Sequence, residues 1–111
     1  MSGQQQASFF VKPPALKVAV GTPPADVRKY RMETAFRIGR GEDCEIRIED
    51  NFVSRCHVSV TLENGEWLAR DNSSSNGMFV NGERVELARI EWRLALRLGV
   101  EGPFVYFETE K

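Results

Sequence analysis

Ser54-Arg55-Cys56-His57 stands between Gly39-Arg40 upstream and Asn72-Ser73-Ser74-Ser75-Asn76-Gly77 downstream, and Asn81-Gly82 follows. These residue types suit an anion with several acceptor oxygens. Arg40 offers a planar fork of N–H donors, and Arg55 adds a second positive charge. Ser54 and Ser75 have hydroxyls that can donate, while Asn76 can both donate and accept, as gripping a peptide backbone requires. Backbone N–H groups in a loop rich in Ser, Asn and Gly can point at an anion without any side chain. Gly77 and Gly82 admit backbone angles that other residues resist. A phosphate monoester near neutral pH carries most of two negative charges and three strong acceptor oxygens. Taken together, the set describes a site for a phosphorylated, extended peptide.

Other chemistries fit less well. Ser54, His57 and an acid such as Asp71 contain the residue types of a hydrolase. However, a serine nucleophile needs a base in reach, an orienting acid and an oxyanion hole, and no strand–turn–helix elbow is present. His57 runs directly into an apolar strand, where a buried hydrogen-bonding role is expected, not catalysis. No catalytic residue is therefore assigned. Cys44, Cys56 and His57 fall short of the four ligands of a closed zinc site, so no metal or other cofactor is expected. The two cysteines could pair, but read more simply as free thiols.

The elements that must position these residues are short strands. Leu16–Val20, Arg28–Thr34, Phe36–Gly39 and Ile46–Ile48 alternate apolar and polar side chains. Val58, Val60 and Leu62 lead into Asn64-Gly65, a strong hairpin signal, and Glu66–Arg70 returns. Met78–Val80 and Glu83–Val85 flank the second such turn, Asn81-Gly82. Leu94–Leu98 and Phe104–Phe107 complete the series. Many short strands with regular turns predict an all-β sandwich or barrel. Leu87–Trp92 is the exception. It is rich in helix formers, and Leu87, Ile90 and Leu94 have helical spacing, so a turn or short helix is expected there.

At 111 residues the chain suits one domain. A flexible polar tail is expected over residues 1–14, although Phe9-Phe10-Val11 could dock, and the domain itself over 15–110. A net charge of −1 gives no reason to expect nucleic-acid binding. The chain has neither a long apolar run nor a signal-peptide pattern, so no membrane insertion and a cytoplasmic location are expected.

Four stretches together resemble the forkhead-associated (FHA) domain family. They are Phe36-Arg37-Ile38-Gly39-Arg40, Val53-Ser54-Arg55-Cys56-His57, Asp71 to Gly77, and Val80-Asn81-Gly82. The resemblance implies an eleven-stranded β-sandwich of two antiparallel-rich sheets, FHA/SMAD-like, whose end loops bind phosphothreonine peptides. It places Arg40 and Ser54 on the phosphate, Arg55 on the phosphopeptide, Ser75 beside the phosphothreonine and Asn76 on the peptide backbone. Gly39, His57, Gly77, Asn81 and Gly82 would support the site, with His57 bracing the loops. The implied partner is a threonine-phosphorylated protein, bound in trans, with a Ser/Thr kinase upstream. The residues 1–14 contain Ser2 and Ser8 but no threonine, and Thr22 lies in a proline-rich turn. Two departures stand out. Met78 replaces a threonine often found after Asn-Gly, which predicts a packing change, and the glycine turn usual before the penultimate strand is missing from Leu87–Arg93. A phosphate-independent interaction domain on the same fold is the alternative reading.

Overall fold

A computed structural model of the chain describes residues 13–21 and 26–110. The tail residues 1–12 and Thr22 lie outside them, and with them the readings made there.

The described residues form eleven strands: β1 (Leu16–Val20), β2 (Arg28–Met32), β3 (Phe36–Gly39), β4 (Ile46–Arg47), β5 (Val58–Glu63), β6 (Glu66–Asp71), β7 (Met78–Val80), β8 (Glu83–Val85), β9 (Leu87–Ile90), β10 (Arg93–Leu98) and β11 (Phe104–Thr109). Two sheets face each other, in the orders β2-β1-β11-β10-β7-β8 and β4-β3-β5-β6-β9. All pairings are antiparallel except the short β3–β4 pair. Alternation sends one side of each sheet inward. Leu16, Val18, Leu96, Leu98, Val105 and Phe107 meet Phe36, Ile38, Val58, Val60, Trp67 and Ile90 in a single core. Met78 is fully buried within it. The apolar side chain at that position is therefore a packing residue.

Trp67 anchors the end of the sandwich at the start of β6. Its ring tilts against Phe36 at 6.2 Å between centroids, and its Nε1–H donates to the Pro14 carbonyl at 2.9 Å. Burying a large apolar side chain contributes about 1.5–3 kcal/mol, and the indole N–H avoids a desolvation cost by reaching that carbonyl. Both predicted Asn-Gly turns have left-handed backbone at both residues, with φ of 56° and 80° at Asn64-Gly65 and 51° and 84° at Asn81-Gly82. That geometry matches the twist of the strands it joins.

The expectation of a turn or short helix over Leu87–Trp92 is corrected. Leu87–Ile90 is a strand on the edge of the five-stranded sheet, with Trp67 opposite Ile90 and Arg70 opposite Leu87. Ile90 is buried while Leu87 is exposed, which fits the two-residue period of a strand. Pairing with β6 offsets the helix propensity of the segment, and a bend at Glu91-Trp92 carries the chain across to β10 in the other sheet.

Candidate functional site

The loops after β3, β4, β6 and β10 converge at one end of the sandwich, tied by backbone hydrogen bonds. Arg40 N–H donates to Ser54 C=O and Gly41 N–H to Arg55 C=O, each at 2.9 Å. Gly99 N–H reaches Gly77 C=O at 2.9 Å. Gly39 must lack a side chain, because a Cβ there would lie 2.3 Å from the Arg55 carbonyl oxygen.

His57 sits beneath these loops with no exposed surface. The Ser54 backbone N–H donates to its Nδ1 at 3.1 Å, and its Nε2 meets the Gly77 carbonyl at 2.8 Å. An accepting Nδ1 and a donating Nε2 specify one neutral tautomer. Burial is the main cause that pushes the imidazole pKa below its ordinary value; the Gly77 carbonyl and Asp71 oppose it, and Arg84 adds to it. A neutral ring thus joins the Ser54 loop to the Gly77 loop.

Asp71 and Ser74 form a second brace. The Asp71 carboxylate accepts from the backbone N–H of Ser74 at 3.2 Å and from the Ser74 hydroxyl. The Ser74 oxygen in turn accepts from Gly77 N–H at 2.9 Å. Gly77 has φ +78°, and the Arg84 guanidinium packs over it where a Cβ would stand. Sequence reasoning passed over Ser74 and Arg84. The Asp-x-x-Ser spacing carries a local signal for Ser74, since short polar side chains bond nearby backbone. Arg84 carries none, because its contact with Gly77 arises from the β7–β8 pairing.

The structure brings Arg40, Ser54, Ser75 and Asn76 to this braced end. Arg40 uses Nε to donate to Val53 C=O at 2.9 Å, which fixes the plane of its guanidinium. Its two terminal nitrogens have no hydrogen-bond partner among the described residues. The Ser54 hydroxyl oxygen accepts from Ser75 N–H at 3.3 Å, leaving its own proton to donate. Asn76 Nδ2 donates to Phe52 C=O at 3.0 Å, which leaves the side-chain oxygen to accept. Arg55 is exposed and shares a notch with Arg40 and Arg47. Asn81 and Gly82 are set apart, in the β7–β8 turn.

Carboxylates near the notch are largely occupied. Arg37 lies 3.6 Å from Asp43 and 3.8 Å from Glu45, Arg47 pairs with Glu49 at 3.1 Å, and Asp50 accepts from Phe52 N–H at 2.8 Å. Neither cysteine is in a disulfide. Burial raises the pKa of the Cys44 thiol, which donates to Arg55 C=O at 3.1 Å. Among the described residues no group of three or more His, Cys, Asp or Glu could hold a metal ion, and no helix is long and apolar enough to cross a membrane. The hydrolase geometry is not present. His57 spends Nδ1 on the Ser54 backbone and Nε2 on Gly77, so neither nitrogen addresses the Ser54 hydroxyl.

Comparison with known proteins converges on one family. A model described as FHA domain matches residues 36–99. The chain is 32% identical over 73 residues to the ABC transporter ATP-binding/permease protein Rv1747 of Mycobacterium tuberculosis, covering 65% of this chain and 8% of that protein. It is 39% identical over 77 residues to the FHA domain-containing protein FhaA of the same organism, covering 65% of this chain and 14% of that one. The chain thus spans a small part of these relatives. The crystal structure of the first FHA domain of M. tuberculosis Rv1747 superposes with a TM-score of 0.77 at 27% identity, over 89% of this chain and 99% of that one. A structure from work on phosphothreonine-dependent FHA domain interactions superposes with a TM-score of 0.75 at 26% identity, over 87% and 98%.

Proposed function

The chain belongs to the FHA domain family, and from that premise we propose that it is a phosphopeptide-binding adaptor module that reads phosphothreonine in an extended segment of a partner protein. The observation that carries this reading is the state of Arg40. Its guanidinium is held in place by Val53, yet both terminal nitrogens are left without partners at the mouth of a braced loop cluster. A planar fork held this way suits bidentate contact with phosphate oxygens.

The remaining roles follow from the donors each residue retains. Ser54 donates its hydroxyl proton to a second phosphate oxygen. Arg55 contributes charge at the rim of the notch. Ser75 lies beside the phosphothreonine, its amide tied back to Ser54. Asn76 accepts from a peptide N–H through its free oxygen, with its nitrogen committed to Phe52. Gly39, His57 and Gly77 hold the loops in shape, Asn81 and Gly82 make the supporting β7–β8 turn, and none of the five touches the ligand. The threonine methyl adds about 1 kcal/mol over serine if one carbon is buried.

Flanking preferences are set by the surroundings. Phe52 is 42% exposed, next to Asn76, Gly99 and Gly102, and favours an apolar ligand residue downstream of the phosphothreonine. Glu42, which forms no ion pair among the described residues, disfavours an acidic residue beside the notch. The ligand comes in trans and is made by an upstream Ser/Thr kinase. A few charge-assisted hydrogen bonds at about 1.5–3 kcal/mol each, less the cost of ordering a peptide, give roughly micromolar affinity. The module binds without catalysing a reaction.

Amide-resolved NMR titration with a degenerate phosphothreonine peptide pool tests the reading. Shifts at Ser54, Ser75 and Asn76 that are absent with an unphosphorylated pool are expected. Equal shifts with both pools favour phosphate-independent interaction through the same fold.

A further inference from the structure

The outward face of the six-stranded sheet carries a second surface, built on strand residues of β1, β2, β10 and β11 and on none of the loop residues above. Ala19 and Ala95 both stand opposite Tyr106 in the sheet register. All three face away from the core, so the Tyr106 ring rises between two side chains that are single methyl groups. Tyr106 is 38% exposed and stacks on Phe104 with 5.9 Å between centroids. The result is an apolar trough with room on both flanks of the ring.

Longer cationic side chains wall this trough. Lys17, Lys29, Arg31, Arg93 and Arg97 share the face with one strand carboxylate, Glu108. The chain as a whole is balanced, with 15 Lys and Arg against 16 Asp and Glu. The sheet has therefore collected positive charge that composition does not require. Some of it is committed: Glu33 and Glu110 hold Arg31, Glu108 lies 3.7 Å from Arg93, and Arg97 donates to Gly102 C=O. The Lys17 and Lys29 ammonium groups make no hydrogen bond or ion pair among the described residues, although Arg31, helped by nearby Lys17, holds the Glu110 carboxyl below its ordinary range.

We propose that this face docks a protein segment rich in acidic and aliphatic residues, supplied by a partner protein. Aliphatic side chains fit over Ala19 and Ala95 beside Tyr106, and carboxylates meet Lys17 and Lys29. Charge complementarity selects an acidic occupant, and the shape selects a narrow one. A flat bilayer meets the longer cationic side chains before it reaches the apolar floor. Nucleic acid needs a longer run of free cations than Lys17 and Lys29 supply, because Glu108 lies beside Arg93 and Glu33 and Glu110 hold Arg31. This surface and the loop site share no residue, although β10 and β11 flank the Gly99 loop, so either can exist without the other.

NMR titration distinguishes the alternatives. The probes are a pool of twelve-residue synthetic peptides of Asp, Glu, Leu and Val without phosphate, the same pool with Lys and Arg replacing the acids, and vesicles of phosphatidylcholine and phosphatidylglycerol in equal parts. The acidic pool is expected to shift the amides of Ala19, Ala95 and Tyr106 while leaving Ser54 and Ser75 in place. Tyr106→Ala and Lys29→Glu, both at exposed positions, are each expected to weaken this binding about tenfold. Retained tryptophan fluorescence establishes that the variants are folded. Equal response to the basic pool, response to vesicles alone, or no shift from the acidic pool overturns the proposal.

Discussion

Replacing His57 with alanine should damage the fold out of proportion to one side chain. The ring has no exposed surface, accepts from Ser54 N–H at 3.1 Å and meets Gly77 C=O at 2.8 Å. Alanine leaves the Ser54 N–H without a partner, whereas the Gly77 carbonyl keeps its bond from Gly99 N–H at 2.9 Å. One unsatisfied group costs about 1–3 kcal/mol, and the cavity left by the buried ring adds to it, so the variant should lose at least about 1–3 kcal/mol. A domain of this size has a total stability of about 5–15 kcal/mol, so the loss is a large share. Urea unfolding at pH 7.5, followed by the fluorescence of buried Trp67, measures it. The midpoint should fall while the slope stays constant, because the surface exposed on unfolding barely changes. A loss under about 1 kcal/mol would mean that the Ser54 N–H finds another partner and that His57 is not the brace.

Further outcomes follow from the same geometry. Stability should fall as the pH drops below about 6.5, because the unfolded chain then takes up a proton that folded, neutral His57 resists; above that pH the contribution is complete. In His57→Ala this part of the pH dependence, read from the urea midpoint, should be absent. Gly77→Ala, at φ +78° and against Arg84, should lower stability by more than the roughly 1–2 kcal/mol of left-handed strain expected for Gly65→Ala, at φ +80° with nothing near its missing Cβ. Thermal melts of the two variants make that comparison, and equal losses contradict it. Ser74→Ala removes the acceptor for Gly77 N–H and should weaken phosphopeptide binding several-fold without contacting the ligand, as titration of the variant would measure.

Much of this architecture is legible in local sequence because its signals are local. Alternation in Val58–Leu62 followed by Asn64-Gly65 specifies a hairpin through strand period and turn geometry alone, and that hairpin is present. The loops after β3, β4 and β6 are recognisable because their polar residues and glycines interrupt such patterns. Leu87–Ile90 was not legible: its residues favour helix, and only pairing with β6 makes it a strand. The same limit hides the Arg84–Gly77 contact and the commitment of Asn76 nitrogen to Phe52, a residue 24 positions away. Likewise, only the fold shows which carboxylates near the notch Arg37 and Arg47 hold.

The central claim is that Arg40 recognises a phosphate on threonine. Calorimetric titration of the wild-type domain and Arg40→Ala with phosphothreonine, phosphoserine and unmodified threonine peptide pools tests it most directly. The expected result is roughly micromolar binding of the phosphothreonine pool alone, abolished in a folded Arg40→Ala domain. Equal binding of the unmodified pool, or undiminished phosphothreonine binding in Arg40→Ala, would contradict the claim.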